Sequence, residues 1–89
     1  MKVRYSPYFY KQYKKANVRI RNRVDQVVTI FTKNPNDLEL NNHTLIEPYQ
    51  DLRSIDITAD WRALYEKIQI GEETIAYFVE LGTHDKLYG

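Results

Sequence analysis

Residues Leu52 to Leu81 read LRSIDITADWRALYEKIQIGEETIAYFVEL, and the pattern in this run decides the fold. It divides into three segments rich in β-branched and aromatic residues: Leu52 to Ile57, Trp61 to Ile68, and Thr74 to Phe78 with room to reach Leu81. Between them stand only Thr58-Ala59-Asp60 and Gln69 to Glu73, the second containing Gly71. Connections this short return the chain beside itself, so the three segments are expected to form an antiparallel meander. Gly82 is read as the end of the third strand, releasing a short tail from Thr83 to Gly89.

Upstream, the apolar period changes from two to nearly four. Val3 to Tyr5 reads as a short strand that ends at Ser6, a good helix cap with Pro7 in the first turn behind it. Phe9, Tyr13 and Ala16 then fall on one stripe, with Lys11, Lys14 and Lys15 on the opposite face. Asn17 is a second cap, opening a helix in which Ile20, Val24, Val27, Val28 and Phe31 recur at helical spacing until Asn34-Pro35 stops it. Residues Asn34 to Gln50 are polar and interrupted by Pro35 and Pro48, so they read as a loop with room for one helical turn near Asp37 to Leu40. Loops of this length in small domains usually carry function, which draws attention to His43 inside it. The expected architecture is α+β: an N-terminal strand and a two-helix hairpin packed on one face of a twisted antiparallel sheet, the other face open. The 89 residues allow one domain, 1–89, with one modest core.

Composition narrows the classes. There is no cysteine, which excludes a disulfide framework and a Cys-based zinc site. No apolar run has the length of a signal peptide core or a membrane span, so a soluble, cytoplasmic protein without membrane partners is expected. The net charge of +1 hides a strong asymmetry. From Met1 to Lys33, nine basic residues face the single acidic Asp25, giving +8; the remainder, with four basic and eleven acidic residues, carries −7. Such a positive surface can neutralise phosphates by displacing counterions, and RNA, DNA or an acidic protein would each fit it. Solvated helices are also often rich in Lys and Arg for solubility alone.

Candidate chemistry is sparse. His43 and His84 are the two histidines, the side chain best suited to exchanging a proton near neutral pH. Two histidines without carboxylates at a recognisable spacing do not make a metal motif, so neither metal nor cofactor is expected. Asp60 has the ordinary reading of a turn residue. Arg53 and Arg62 lie within or beside strands, where a half-buried guanidinium needs an anion. That anion is Asp56 or Glu66 within the protein, or a phosphate on the open face. Of the eight tyrosines, Tyr8, Tyr10, Tyr13, Tyr65 and Tyr77 read as structural, whereas Tyr49 in the loop and Tyr88 in the tail are candidates for stacking on unpaired bases.

Taken in order, Asn42-His43 with Leu45, Asp51-Leu52-Arg53, Asp60-Trp61-Arg62 with Leu64-Tyr65, and the closing Leu81-Gly82-Thr83-His84-Asp85-Lys86-Leu87-Tyr88-Gly89 resemble the YafQ branch of the RelE/ParE toxin superfamily. The closing run is the most specific piece, and the first half of the chain matches in pattern only. The resemblance implies a RelE-like fold and a metal-independent endoribonuclease that cuts mRNA on the ribosome, in which a ribose 2′-OH attacks the adjacent phosphate. That reaction needs a base for the 2′ proton, an acid for the departing 5′ oxygen and positive charge beside the phosphorane. By resemblance His84 is the acid, Asp60 a base, His43 a second acid/base or a phosphate contact, and Tyr88 the stacking aromatic. Lys11, Lys14, Lys15, Arg19 and Arg23 would grip ribosomal RNA, with Arg53, Arg62 and Asp56 near the substrate phosphate. Two positions depart from the family pattern: Asp56 stands where a histidine is usual, and Tyr88 where the chain usually has Phe. A carboxylate near an anionic substrate weakens catalysis unless Arg53 or Arg62 neutralises it. The implied partners are the ribosome with its mRNA and an acidic, partly disordered antitoxin, the free toxin being monomeric and the pair a hetero-oligomer. Two rivals share the fold: a ParE-like inhibitor of DNA gyrase, and a catalytically silent module that binds antitoxin.

Overall fold

The computed structural model describes residues Met1 to Tyr88. Strand β1 (Lys2–Tyr5) leads into helix α1 (Pro7–Lys15) and helix α2 (Val18–Lys33). Both caps read from the sequence are present. The Ser6 hydroxyl accepts the Phe9 amide at 2.9 Å, and Asn17 Oδ1 accepts the Ile20 amide at 3.0 Å, so each helix begins where a side chain replaces a missing carbonyl. A single 3₁₀ turn (Leu38–Leu40) follows, then strands β2 (His43–Thr44), β3 (Arg53–Asp56), β4 (Trp61–Ile70) and β5 (Glu73–Thr83), and last the short helix α3 (His84–Tyr88).

The five strands form one sheet in the order β1-β5-β4-β3-β2. The meander β3-β4-β5 is antiparallel as expected, but β1 runs parallel to β5, so the sheet is mixed. Alternation of apolar residues reports which face a strand buries and carries no information about its direction, which the helical hairpin sets by returning the chain across the sheet. One side of the sheet is sealed by the hairpin. Phe31 stands edge-on to Tyr65 and Phe78 with ring centroids 5.0 and 5.3 Å away, and Phe9, Val27, Ile55, Ala63 and Leu81 complete the core.

A bulge in β5 makes this possible. Leu64 opposes Glu80 while Tyr65 opposes Phe78, so Val79 is the extra residue. The alternation slips by one there, letting Leu81 on one side of the bulge and Phe78 and Ala76 on the other all face the helices. Beyond β1 the upper part of β5 is an edge, and α1 supplies its partners. The Ser6 hydroxyl bonds the Val79 carbonyl at 3.1 Å, and the Leu81 amide donates to Gln12 Oε1 at 2.8 Å.

Two further expectations change. The tail does not leave the sheet at Gly82: β5 continues to Thr83, and the last described residues fold back as α3. The open face is therefore partly covered, with Leu87 of α3 buried on it. Gly82 is the contact point, since a Cβ there would stand 3.3 Å from Leu87 Cδ2. His43, read as a loop residue, belongs to β2, a two-residue edge strand in which it pairs with Ser54. Gly89, the end of the tail motif, lies outside the described residues. No described helix is long and apolar enough to cross a membrane.

Candidate active site

On the face away from the hairpin, an open cleft of about 670 Å³ lies between the 41–49 segment, α3 and Arg62 of β4. Both histidines line it, His43 from β2 and His84 from the first turn of α3.

Each is set by its backbone. Asn41 adopts a left-handed conformation, φ 49°, at the end of the 3₁₀ turn, and its carbonyl lies 2.7 Å from His43 Nδ1. A carbonyl can only accept, so Nδ1 carries the proton in the neutral ring and Nε2 keeps its lone pair. The amide of His84 donates to the Asp60 carbonyl at 2.8 Å, which joins the start of α3 to the β3–β4 turn. One turn later Tyr88 packs edge-on to the His84 ring, centroids 4.7 Å apart, and its hydroxyl donates to Ser54 Oγ at 3.2 Å. Tyr49 meets Tyr88 at 6.4 Å, so both tyrosines singled out as stacking candidates line the cleft beside the histidines.

Arg62 supplies the positive charge. Its Nη1 donates to the carbonyls of Thr58, Ala59 and Trp61 at 2.9 to 3.1 Å, closing the β3–β4 turn, and its Nε lies 3.0 Å from Asp56 Oδ1. Asp56 and Arg62 are direct cross-strand partners in the sheet register. The contact is short but poorly aligned, so buried Oδ1 has charge compensation without a well-formed hydrogen bond. Nη2 has no hydrogen-bond partner among the described residues and belongs to a side chain that lines the cleft.

No family model and no curated protein matches the sequence. Solved structures match the whole fold. YafQ from E. coli strain BL21(DE3) superposes with a TM-score of 0.77 at 24% identity, covering 98% of this chain and 97% of that one. The YoeB/ParE toxin from Agrobacterium tumefaciens gives 0.75 at 17% identity, with 94% and 99% covered. A chain of the RelB–RelE antitoxin–toxin complex from Methanococcus jannaschii gives 0.66 at 21%, with 94% and 93% covered.

This chain has the RelE/ParE toxin fold.

Within that RelE/ParE scaffold the residues singled out from sequence separate into three groups. His43, His84, Arg62 and Tyr88 converge on the cleft. Asp60 does not line it. The exposed β3–β4 turn carries its carboxylate, and its contribution to the cleft is the carbonyl that holds His84. Asp56 sits behind Arg62 as its counter-ion, which settles the choice between Asp56 and Glu66. Arg53 points to the helix-covered face, where Nε donates to Asn42 Oδ1 at 2.9 Å, and it does not line the cleft.

The basic residues divide as well. Lys11, Lys14, Lys15 and Arg19 are exposed on the helices, and Lys11 and Lys15 share a groove of about 580 Å³ with Lys86 of α3. Lys14 Nζ lies 4.8 Å over the Tyr10 ring, a cation–π contact. Arg23 is different: it donates to the buried Ile57 carbonyl at 2.8 Å and pairs with Glu39 at 3.2 Å, so it ties α2 to the sheet. Residues that sequence reading passed over are Ser54, buried under Tyr88, and the Asn41 backbone that orients His43. Their signal is indirect, a small polar residue next to Ile55 in a strand candidate and an Asn able to adopt positive φ.

Proposed function

We propose that this protein is the toxin of a toxin–antitoxin pair and an endoribonuclease that cuts mRNA on the ribosome. The observation that carries the reading is the convergence of His43, His84, Arg62 and Tyr88 on one cleft of a RelE/ParE fold. His43, with Nε2 free to accept, takes the 2′ proton as the ribose oxygen attacks phosphorus. The P–O5′ bond breaks, and His84 protonates the leaving 5′ oxygen. The Arg62 guanidinium faces the phosphorane charge, and Tyr88 with Tyr49 stacks on the flanking bases. The products are a 2′,3′-cyclic phosphate and a free 5′-hydroxyl. The geometry favours His43 over Asp60 as the base, because the cleft contains the first and not the second. The Asp56 charge that would repel substrate is compensated by Arg62.

Lys11, Lys14, Lys15 and Arg19 form the face that would hold ribosomal RNA in the cytoplasm. The RelB–RelE neighbour is an antitoxin–toxin complex, which supports an antitoxin partner here; an acidic one would cover the same face or the cleft. End-group analysis of RNA from a bacterial translation reaction tests the chemistry. Fragments bearing cyclic phosphate and 5′-hydroxyl ends are expected. Intact mRNA with inhibited gyrase supercoiling would replace this reading with the gyrase one, and no effect in either assay would leave an antitoxin-binding module.

A further inference from the structure

We propose that Asn42 is a positioning residue that fixes the place and tautomer of His43, through a three-way hydrogen-bond latch to the core side of the sheet. For its catalytic consequence the inference rests on the nuclease reading of the cleft; the latch itself does not.

The side-chain amide of Asn42 uses every polar group it has. Nδ2 donates to the Pro35 carbonyl at 2.9 Å and to the Tyr65 hydroxyl at 2.7 Å, and Oδ1 accepts from Arg53 Nε at 2.9 Å. The orientation is dictated by chemistry. A guanidinium can only donate and a carbonyl can only accept, so the amide fits this pocket one way round. Tyr65 has no exposed surface and is locked among Phe31 and Phe78, which makes its hydroxyl a fixed point. Arg53 is held in turn by the β3 ladder.

The element that needs this anchoring is the next residue. β2 is only His43 and Thr44, paired along one edge, and the segment that follows has local backbone bonds, Tyr49 to Ile46 and Leu52 to Tyr49. Asn42 fastens the entrance of that edge strand to the core side, while His43 projects to the other side and reaches back to the Asn41 carbonyl. Releasing Asn42 frees the backbone on which both the Asn41 carbonyl and the imidazole depend. Nδ1 then loses its acceptor, and the base loses both position and tautomer. Asparagine is the residue this needs: aspartate would aim an acceptor at the Pro35 carbonyl, and alanine would leave Arg53 Nε and the Tyr65 hydroxyl without partners.

The test is long-range ¹H–¹⁵N NMR of the His43 ring in the free protein, compared among wild type, Asn42→Ala and Tyr65→Phe. Wild type is expected to show the Nδ1–H tautomer. Asn42→Ala should shift the ring toward Nε2–H, and Tyr65→Phe, which keeps the core ring and removes one latch partner, should shift it the same way by less. In RNA cleavage kcat should fall on the order of tenfold to a hundredfold with KM unchanged, as expected for a displaced catalytic group. Lower thermal stability with an unchanged His43 tautomer in both variants would overturn the proposal. If Asn42→Ala does not fold, Tyr65→Phe decides in the same way. A tautomer shift in a protein that cleaves no RNA would support the latch while removing the nuclease reading.

Discussion

The two faces of the sheet are built on opposite principles. Under the hairpin, Phe9, Val27, Phe31, Ile55, Tyr65 and Phe78 bury one another, and nearly all of the stabilising apolar contact lies there. On the cleft side the inward groups are polar: Ser54 meets Tyr88, and Asp56 meets Arg62. Among the described residues, Leu64, Ile75 and Leu87 are the buried apolar residues outside the main cluster. The first face tolerates little loss of volume but has no chemistry to lose. The second can lose a reactive side chain cheaply, yet depends on a few directional bonds for its geometry. On the proposed reading of the cleft, stability and function are separable, because one sheet divides them between its sides.

The sharpest way to break that division is a pair of substitutions, one on each face. Phe31→Ala should cost about 3–5 kcal/mol of unfolding free energy in urea denaturation, since it removes the ring at the centre of the aromatic cluster. His84→Ala should stay within about 0.5 kcal/mol of wild type, because the side chain is exposed, and yet remove cleavage. Comparable destabilisation by both would end the separation. Asp56→Ala should be intermediate, losing roughly 1–3 kcal/mol by leaving the mostly buried Arg62 without its counter-ion, and slowing cleavage as Arg62 loosens; the same denaturation and cleavage assays measure it.

The basic helices sharpen the comparison further. Each of Lys11, Lys14, Lys15 and Arg19 changed to Gln should lower the salt dependence of ribosome binding by up to about one unit of log–log slope with little change in stability. Arg23→Gln should do the reverse, lowering the melting temperature while leaving the slope nearly unchanged, because its partners are Ile57 and Glu39. The smallest effect is expected at high pH. The hydrogen bond from the Tyr13 hydroxyl to Asp25, with some burial and the Asp25 charge, raises the Tyr13 pKa in the folded state. A raised folded pKa means a contribution complete below the unfolded value near 10 and lost as pH rises through the folded one. Tyr13→Phe should therefore flatten the alkaline end of a stability profile taken by thermal melting.

How much of this was legible depended on which interactions wrote it. Helix caps at Ser6 and Asn17 and the stripe from Ile20 to Phe31 are local, and the sequence carries them openly. The meander was legible for the same reason, whereas the parallel pairing of β1 was not, since direction is a property of the connection. The Val79 bulge was hidden too, although Phe78 and Leu81, three apart, cannot both face one side of a regular strand. In the cleft, residue types pointed to His43, His84, Arg62 and Tyr88. For Arg53 and Arg23 the residue type was not enough, because a guanidinium suits a buried carbonyl or amide as well as a phosphate, and only the fold determines which it meets. The backbone of Asp60 was not legible at all: its carbonyl holds the start of α3, while its carboxylate stands outside the cleft.

The most direct test of the central claim is to map mRNA cut sites in a bacterial translation reaction, with and without ribosomes, for wild type and His84→Ala. Cuts that require ribosomes and vanish in the variant while its fold persists are the expected result. Cuts that continue undiminished in His84→Ala, or no cuts from folded wild type in the presence of ribosomes, would contradict it.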